Sequence, residues 1–245
     1  MIVTSTEVQN NFGKYLLLAA QEEIIITRNG TGIARLTGIK ERSPVGVEGE
    51  EGVAEKAAAY GSDGRKISYG EFLELTRNTE ERYEYIDGEI YLLASPKTAH
   101  QIVLTELFGI FYNWFAGKKS TPLVAPYDIT LKRTPEHINV VQPDLMVICD
   151  LEEKLDADDH YQGVPTLLVE IISESTQRKD LITKLDLYLS CGVKEYWIVN
   201  PLNKEVTVYL FADQDIKQIA TYRKPELARS FTFEGLTVEL DRVFR

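Results

Sequence analysis

Two carboxylates stand where hydrocarbon is expected. Gln142-Pro143-Asp144 interrupts the apolar run INVVQPDLMVIC, and Glu170 interrupts TLLVEIISEST. A carboxylate inside an apolar strand is costly to bury unless it is paired or binds a cation. If the two runs are neighbouring strands, their charges repel, and a shared Mg²⁺ with its preference for oxygen ligands relieves the repulsion. The competing reading pairs each carboxylate with an Arg or Lys across the sheet. Either residue alone favours pairing; the two together favour metal.

The helix expected after Glu170 supplies a cation. Asp180, Lys184 and Tyr188 are spaced by four and share one face, with Leu181 and Leu185 on its flank. A lysine beside two metal-bound carboxylates could orient a water or offset the charge of a pentavalent phosphorane. Equally open is an Asp180–Lys184 ion pair on a solvated face, worth only a few tenths of a kcal/mol. Glu84, in RYEYIDGEI, is a candidate third carboxylate, in competition with Glu80, Glu81 and Glu89. His100 opens a long helix, where it would meet a phosphate or serve as a polar cap. His137 and His160 fall in polar loops. Ser173, Ser175 and Ser190 have no His/Asp arrangement that suggests a triad, and no G-x-x-x-x-G-K-[ST] loop is present.

These residues need strands and helices to position them. From Ser68, which forms a capping box with Glu71, a short helix carries Phe72, Leu73 and Leu75. Tyr83 to Leu93 reads as a hairpin turned at Asp87-Gly88, and His100 to Phe115 as an amphipathic helix burying Val103, Leu107, Phe111 and Trp114 or their neighbours. Strands are predicted near 123–132, 139–149 and 166–173, the last two apolar enough to be central. A helix over 177–190, stopped by Gly192, precedes strands at 195–200 and 205–211, and TVELDRVF closes as a helical turn. The fold class is mixed α/β, with a central mixed sheet flanked by helices.

The first 42 residues read as a separate unit. Ile2 and Val3 start a strand; Thr4-Ser5-Thr6-Glu7 is a capping box for a helix with Val8, Phe12, Tyr15, Leu16 and Ala19 on one face. Ile24 to Thr27 and Ile33 to Leu36 form a hairpin about Asn29-Gly30. So small a strand-helix-hairpin unit leaves a face uncovered, which dimerisation would bury. Residues 43–66 are rich in glycine, glutamate and small residues and read as an acidic linker with a helical turn near Ala54 to Ala59. The remaining domain is 67–245.

Composition narrows the class. The chain has 245 residues, 44% of them hydrophobic and 27% charged, as a globular protein has. Its net charge of −11 argues against an extended cationic surface on nucleic acid, although carboxylates that bind divalent cations invert the local field. Cys149 and Cys191 form no C-x-x-C pair, which argues against a disulfide framework or structural zinc. With no membrane-length apolar run and a start that is polar within four residues, the expectation is a cytoplasmic protein without a membrane partner.

The stretch from about Ser68 to Phe244 resembles the restriction-endonuclease family of Uma type, a branch of the PD-(D/E)XK nuclease superfamily. The resemblance rests on ERYEYIDGEIYLL, SPKTAHQ, QPDLMVI and LLVEIISEST…KDLITKLDLYLSCGVKEYWIVNP. It implies a restriction-endonuclease-like fold and a Mg²⁺-dependent endonuclease acting on DNA, with Mn²⁺ as a substitute. Asp144 and Glu170 would be the metal-binding carboxylates and Glu84 the acidic position of the first hairpin. The superfamily's usual lysine position is Ile172 here, and Lys184 on the next helix matches the branch's relocated lysine, with Tyr188 and His100 towards substrate.

Residues 1–42 are similar to the prevent-host-death antitoxin family through TSTEVQNNFGKYLLLAAQEEIIITRNGTGIARL. That similarity implies a homodimer, DNA binding and a possible toxin partner; the acidic linker replaces the helices expected after the hairpin. The alternative to an enzyme is therefore a non-catalytic, antitoxin-like DNA-binding regulator that keeps a nuclease scaffold.

Overall fold

The computed structural model describes residues 1–4, 7–8, 15, 18–19, 23–28, 31–37, 66–172 and 179–245, with the backbone alone at 31–33 and 179–181. The chain divides into two compact units, Met1–Glu55 and Lys56–Arg245. The division falls within the segment read as a linker. Residues 43–65, with the expected turn at Ala54 to Ala59, lie outside the described residues.

In the first unit β1 (Ile2–Thr4) runs parallel to β2 (Ile24–Arg28), which pairs antiparallel with β3 (Thr31–Leu36). Glu7, Val8, Tyr15, Leu18 and Ala19 are helical. The helix start is capped reciprocally: the Glu7 amide donates to Thr4 Oγ1 at 3.2 Å, and Glu7 Oε2 accepts the Thr4 amide at 2.9 Å. The Thr4 amide and hydroxyl, both donating to the Glu7 carboxylate, hold it below its usual range. Val3, Val8, Tyr15, Ala19, Ile24 and Ile26 form the core, and Phe12 and Leu16 lie outside the described residues.

The second unit begins with α1 (Tyr69–Thr76), whose capping box is present: the Glu71 amide donates to Ser68 Oγ and the Ser68 amide to Glu71 Oε2. Only Phe72 of that helix is buried; Leu73 and Leu75 face solvent. Then come β4 (Tyr83–Ile86), β5 (Glu89–Leu92), α2 (Thr98–Phe115), β6 (Thr121–Val124), β7 (Ile129–Thr134), β8 (His137–Val141) and β9 (Leu145–Ile148). After α3 (Leu151–Lys154) and β10 (Leu167–Ile171) follow a π-helical turn (Lys179–Lys184), α4 (Leu185–Ser190), β11 (Glu195–Asn200), β12 (Glu205–Ala212) and β13 (Asp215–Arg223). Short β14 (Leu227–Arg229), β15 (Thr237–Glu239) and α5 (Leu240–Val243) end the chain.

The central sheet is mixed and six-stranded, in the order β13-β12-β11-β10-β9-β6. β10 and β11 are its parallel pair. Along β10, Leu167, Val169 and Ile171 belong to the core that α2 covers with Val103, Leu104, Leu107, Phe111 and Phe115. Phe111 meets Trp197 edge-on at 5.7 Å. The strand period of two turns Glu170 to the opposite face, towards α4.

A second, four-stranded sheet, β5-β4-β8-β7, corrects the expected single sheet. The strand predicted over 123–132 divides into β6 and β7, and that over 139–149 into β8 and β9, one part in each sheet. Pro143 has no N–H to give a ladder, and the chain crosses between sheets at Gln142-Pro143-Asp144. Asp144 thus stands at the mouth of β9 rather than mid-strand. The helix expected over 177–190 is π-helical before it is α-helical. Lys184 and Tyr188 keep a common phase, whereas Asp180 lies within the π turn. His137 is the first residue of β8 rather than a loop residue.

Candidate active site

The site forms where the two sheets and α4 meet. The β9–β10 register pairs Val147 with Leu167, Met146 with Leu168 and Leu145 with Val169, so its continuation sets Asp144 opposite Glu170. Asp144 is fastened to the next residue of β10: its Oδ2 accepts the Ile171 amide at 2.7 Å. The same oxygen lies 3.2 Å from His100 Nε2, projected from the first turn of α2. Asp144 Oδ1 has no hydrogen-bond partner among the described residues. His100 Nδ1 is buried and likewise without one.

Glu170 belongs to a more deeply buried cluster. Its Oε1 accepts from Lys184 Nζ at 2.7 Å and from the Tyr188 hydroxyl at 2.7 Å. Lys184 also reaches Glu84 Oε1, at 2.8 Å. Glu84 is 0%, Glu170 4% and Lys184 2% exposed, so Lys184 does not lie on a solvated helix face. The Asp180 side chain lies outside the described residues. Glu84 Oε1 accepts in addition from the Gln142 amide at 3.0 Å. That amide left the ladder where the chain changes sheets, so the crossover and the cluster are one feature.

The other candidates separate from these. Glu80, Glu81 and Glu89 are exposed, and the last two accept hydroxyls from neighbouring Tyr83 and Tyr91. Burial raises the Tyr91 phenol well above its usual range, helped by the Glu89 carboxylate. Ser190 accepts from Arg133, and Ser173 and Ser175 lie outside the described residues. Ile172 is buried, its amide donating to Val199, and brings no charge to the site. His160 lies beside Asp156, away from both carboxylate groups.

Sequence reasoning passed over one more set of residues. Arg133 on β7 places Nε and Nη2 each 3.1 Å from the two Asp87 oxygens, Nη2 2.7 Å from Asp186 and Nη1 2.6 Å from Ser190 Oγ. The signal available was the i,i+4 pair Asp186 and Ser190, on the side of α4 away from Lys184 and Tyr188.

A family profile described as "Putative restriction endonuclease" matches residues 69–241. The chain belongs to the Uma2 family. The match starts after the first unit, which it does not cover. Uncharacterized protein slr1290 of Synechocystis sp. is 25% identical over 181 residues, spanning 74% of this chain and 92% of the relative. A crystal structure of a "putative nuclease belonging to DUF820" from Anabaena variabilis superposes with a TM-score of 0.59 at 20% identity, over 73% of this chain and 97% of that one. The likeness shows a shared fold. No described helix is long and apolar enough to cross a membrane.

Donors for a metal are few. No group of three or more His, Cys, Asp or Glu side chains is arranged to hold one among the described residues. Mg²⁺ does not need such a cage, since it keeps several waters and binds through one or two carboxylates together with substrate phosphates. Asp144, with one oxygen tied to the backbone and the other without a partner among the described residues, suits that demand, and Glu170 stands across from it.

Proposed function

We propose that the Lys56–Arg245 unit is a Mg²⁺-dependent endodeoxyribonuclease, with Mn²⁺ as a substitute, and that Asp144 and Glu170 hold the metal. The observation that carries this reading is the delivery of Lys184 onto Glu170 from the helix after β10, which restores a lysine to a site whose usual position holds Ile172. When bound, the divalent cation supplies Lewis acidity at the scissile phosphate and acidifies a coordinated water.

The chain's own residues do the rest. Lys184 and Tyr188 fix the Glu170 carboxylate by donating to one oxygen, and the ammonium brings positive charge to where negative charge develops. Glu84 acts on Lys184 rather than on substrate, since its Oε1 takes the ammonium and the Gln142 amide. His100 would orient Asp144 through Nε2 and contact a substrate phosphate. Residues 1–42, by their resemblance to the antitoxins, would pair two protomers so that two sites face one duplex, or direct the protein to DNA.

The test is cleavage of supercoiled plasmid by the full chain with Mg²⁺ or Mn²⁺ against EDTA, alongside Asp144→Ala. Metal-dependent nicking or linearisation that the substitution abolishes is the expected result. Equal cleavage by both proteins, or none by either, gives precedence to the regulator reading, in which the fold is a scaffold and the first unit carries DNA or toxin binding.

A further inference from the structure

Both ends of the Lys184–Glu84 ion pair are tied to a single guanidinium. Asp87 lies three residues beyond Glu84, at the tip of the β4–β5 hairpin, and Asp186 lies two residues beyond Lys184 on α4. Arg133, from β7, grips Asp87 through two parallel bonds of 3.1 Å and Asp186 at 2.7 Å, and adds Ser190 Oγ at 2.6 Å. Asp87 is itself seated. Its φ is +50°, and its amide donates at 2.8 Å to Asn139 Oδ1, a buried side chain that also donates to the Leu131 carbonyl.

The helical phase makes the bridge informative. Asp186 and Ser190 lie on the side of α4 away from Tyr188 and from Lys184 at its N-cap, since two residues turn an α-helix by about 200°. One side of α4 is therefore anchored to the four-stranded sheet while the other presents Tyr188 to Glu170, in line with Lys184 at the helix N-cap. Buried Leu185, Leu187, Tyr188 and Leu189 seat α4 by packing. The fork adds a directional tie, because a planar guanidinium with donors in fixed directions constrains both carboxylates at once, as an ammonium would not.

We infer that Arg133 is the positioning residue that sets α4 so that Lys184 enters the site. The role in cleavage rests on the nuclease reading above; the placement of Lys184 does not. Arg133 touches neither Asp144 nor Glu170, so its loss should lower kcat and leave KM within about twofold. A side chain displaced by an ångström commonly loses one to two orders of magnitude, so the fall in kcat should be roughly tenfold to a hundredfold.

The experiment uses the full chain as Arg133→Gln, Arg133→Lys and Asp186→Ala, each checked for folding by circular dichroism. Lys184 is labelled with an amine-reactive ester and quantified by mass spectrometry against Lys119, an exposed lysine remote from the bridge. In the unaltered protein Lys184, buried and in contact with two carboxylates, should label slowly. Faster labelling of Lys184 relative to Lys119 in Arg133→Gln and Asp186→Ala, with Arg133→Lys intermediate, is expected, together with the kcat fall on plasmid. Unchanged Lys184 labelling in the folded variants overturns the inference whatever the activity. Should Arg133→Gln not fold, Asp186→Ala decides, since it removes an exposed partner and leaves the Asp87 contact. A protein that cleaves nothing defeats the nuclease reading alone, because the labelling result stands without substrate.

Discussion

Lys184 Nζ lies 2.8 Å from Glu84 Oε1 and 2.7 Å from Glu170 Oε1, so one buried ammonium bridges two carboxylates contributed by different sheets. Removing one partner of a buried ion pair is costlier than replacing the whole group, because the remaining charge loses its compensation. Lys184→Met should therefore destabilise the second unit by about 3–5 kcal/mol. Adding Glu84→Gln to Lys184→Met should return part of the loss. Urea denaturation of the three proteins decides it: a single variant as stable as the parent refutes the bridging role.

The Tyr188 hydroxyl offers a milder change on the same carboxylate. It donates to Glu170 Oε1 at 2.7 Å, and the ring packs edge-on against Tyr196 at 5.0 Å. Tyr188→Phe keeps the ring and removes the donor, so stability should fall by roughly 1.5–3 kcal/mol, the range for hydrogen bonds to charged groups. Thermal melts of the two proteins give the answer, and no shift would mean that the hydroxyl contributes nothing to holding Glu170.

How far the site was legible follows from what each residue could signal. Asp144 and Glu170 stood out because a carboxylate in hydrocarbon is expensive wherever the chain goes, and Lys184 and Tyr188 because four residues make a helical repeat. The Lys184–Glu84 contact joins elements far apart in sequence, and no local pattern encodes it. Arg133 sits in TLKRT, where a basic residue on a strand reads by default as solvated. Pro143 did carry a signal, the missing donor that forbids a central ladder, yet the apolar residues on both sides masked it. β13 went unpredicted because it is an edge strand whose DIKQIATYR is half-buried at most and shows little alternation.

Cys191 follows α4 and gives a pH-dependent readout. Burial pushes its thiol above the ordinary range, with hydrogen bonding from Ser190 and the charge of Arg133 opposing the shift only in part. A thiol whose folded pKa is raised favours the folded state fully below the ordinary thiol pKa, and that contribution is lost as pH rises through the folded value. At mildly alkaline pH the folded protein should thus hold Cys191 as thiol while the unfolded chain ionises it. Alkylation of Cys191 followed by mass spectrometry at pH 8 should be several-fold slower without urea than with it, since the thiolate is the reacting form. Equal rates would contradict the shift.

Asp144 gives the sharpest separation of charge from shape. Its Oδ2 is tied to the Ile171 amide at 2.7 Å, a bond that an asparagine oxygen can also accept, so Asp144→Asn keeps the join between β9 and β10. What it loses is the negative charge that a divalent cation requires. The substitution should leave the unfolding midpoint in metal-free buffer within about 1 kcal/mol of the parent, because an acceptor is replaced by an acceptor. It should weaken Mn²⁺ binding about tenfold or more, because a neutral amide oxygen replaces an anionic ligand that divalent cations favour. Calorimetric titration with Mn²⁺ and denaturation in EDTA read the two effects separately. Parallel losses would make Asp144 a structural residue; lost affinity at unchanged stability would make it the metal ligand; and if neither protein binds Mn²⁺, the metal-dependent reading of this site falls.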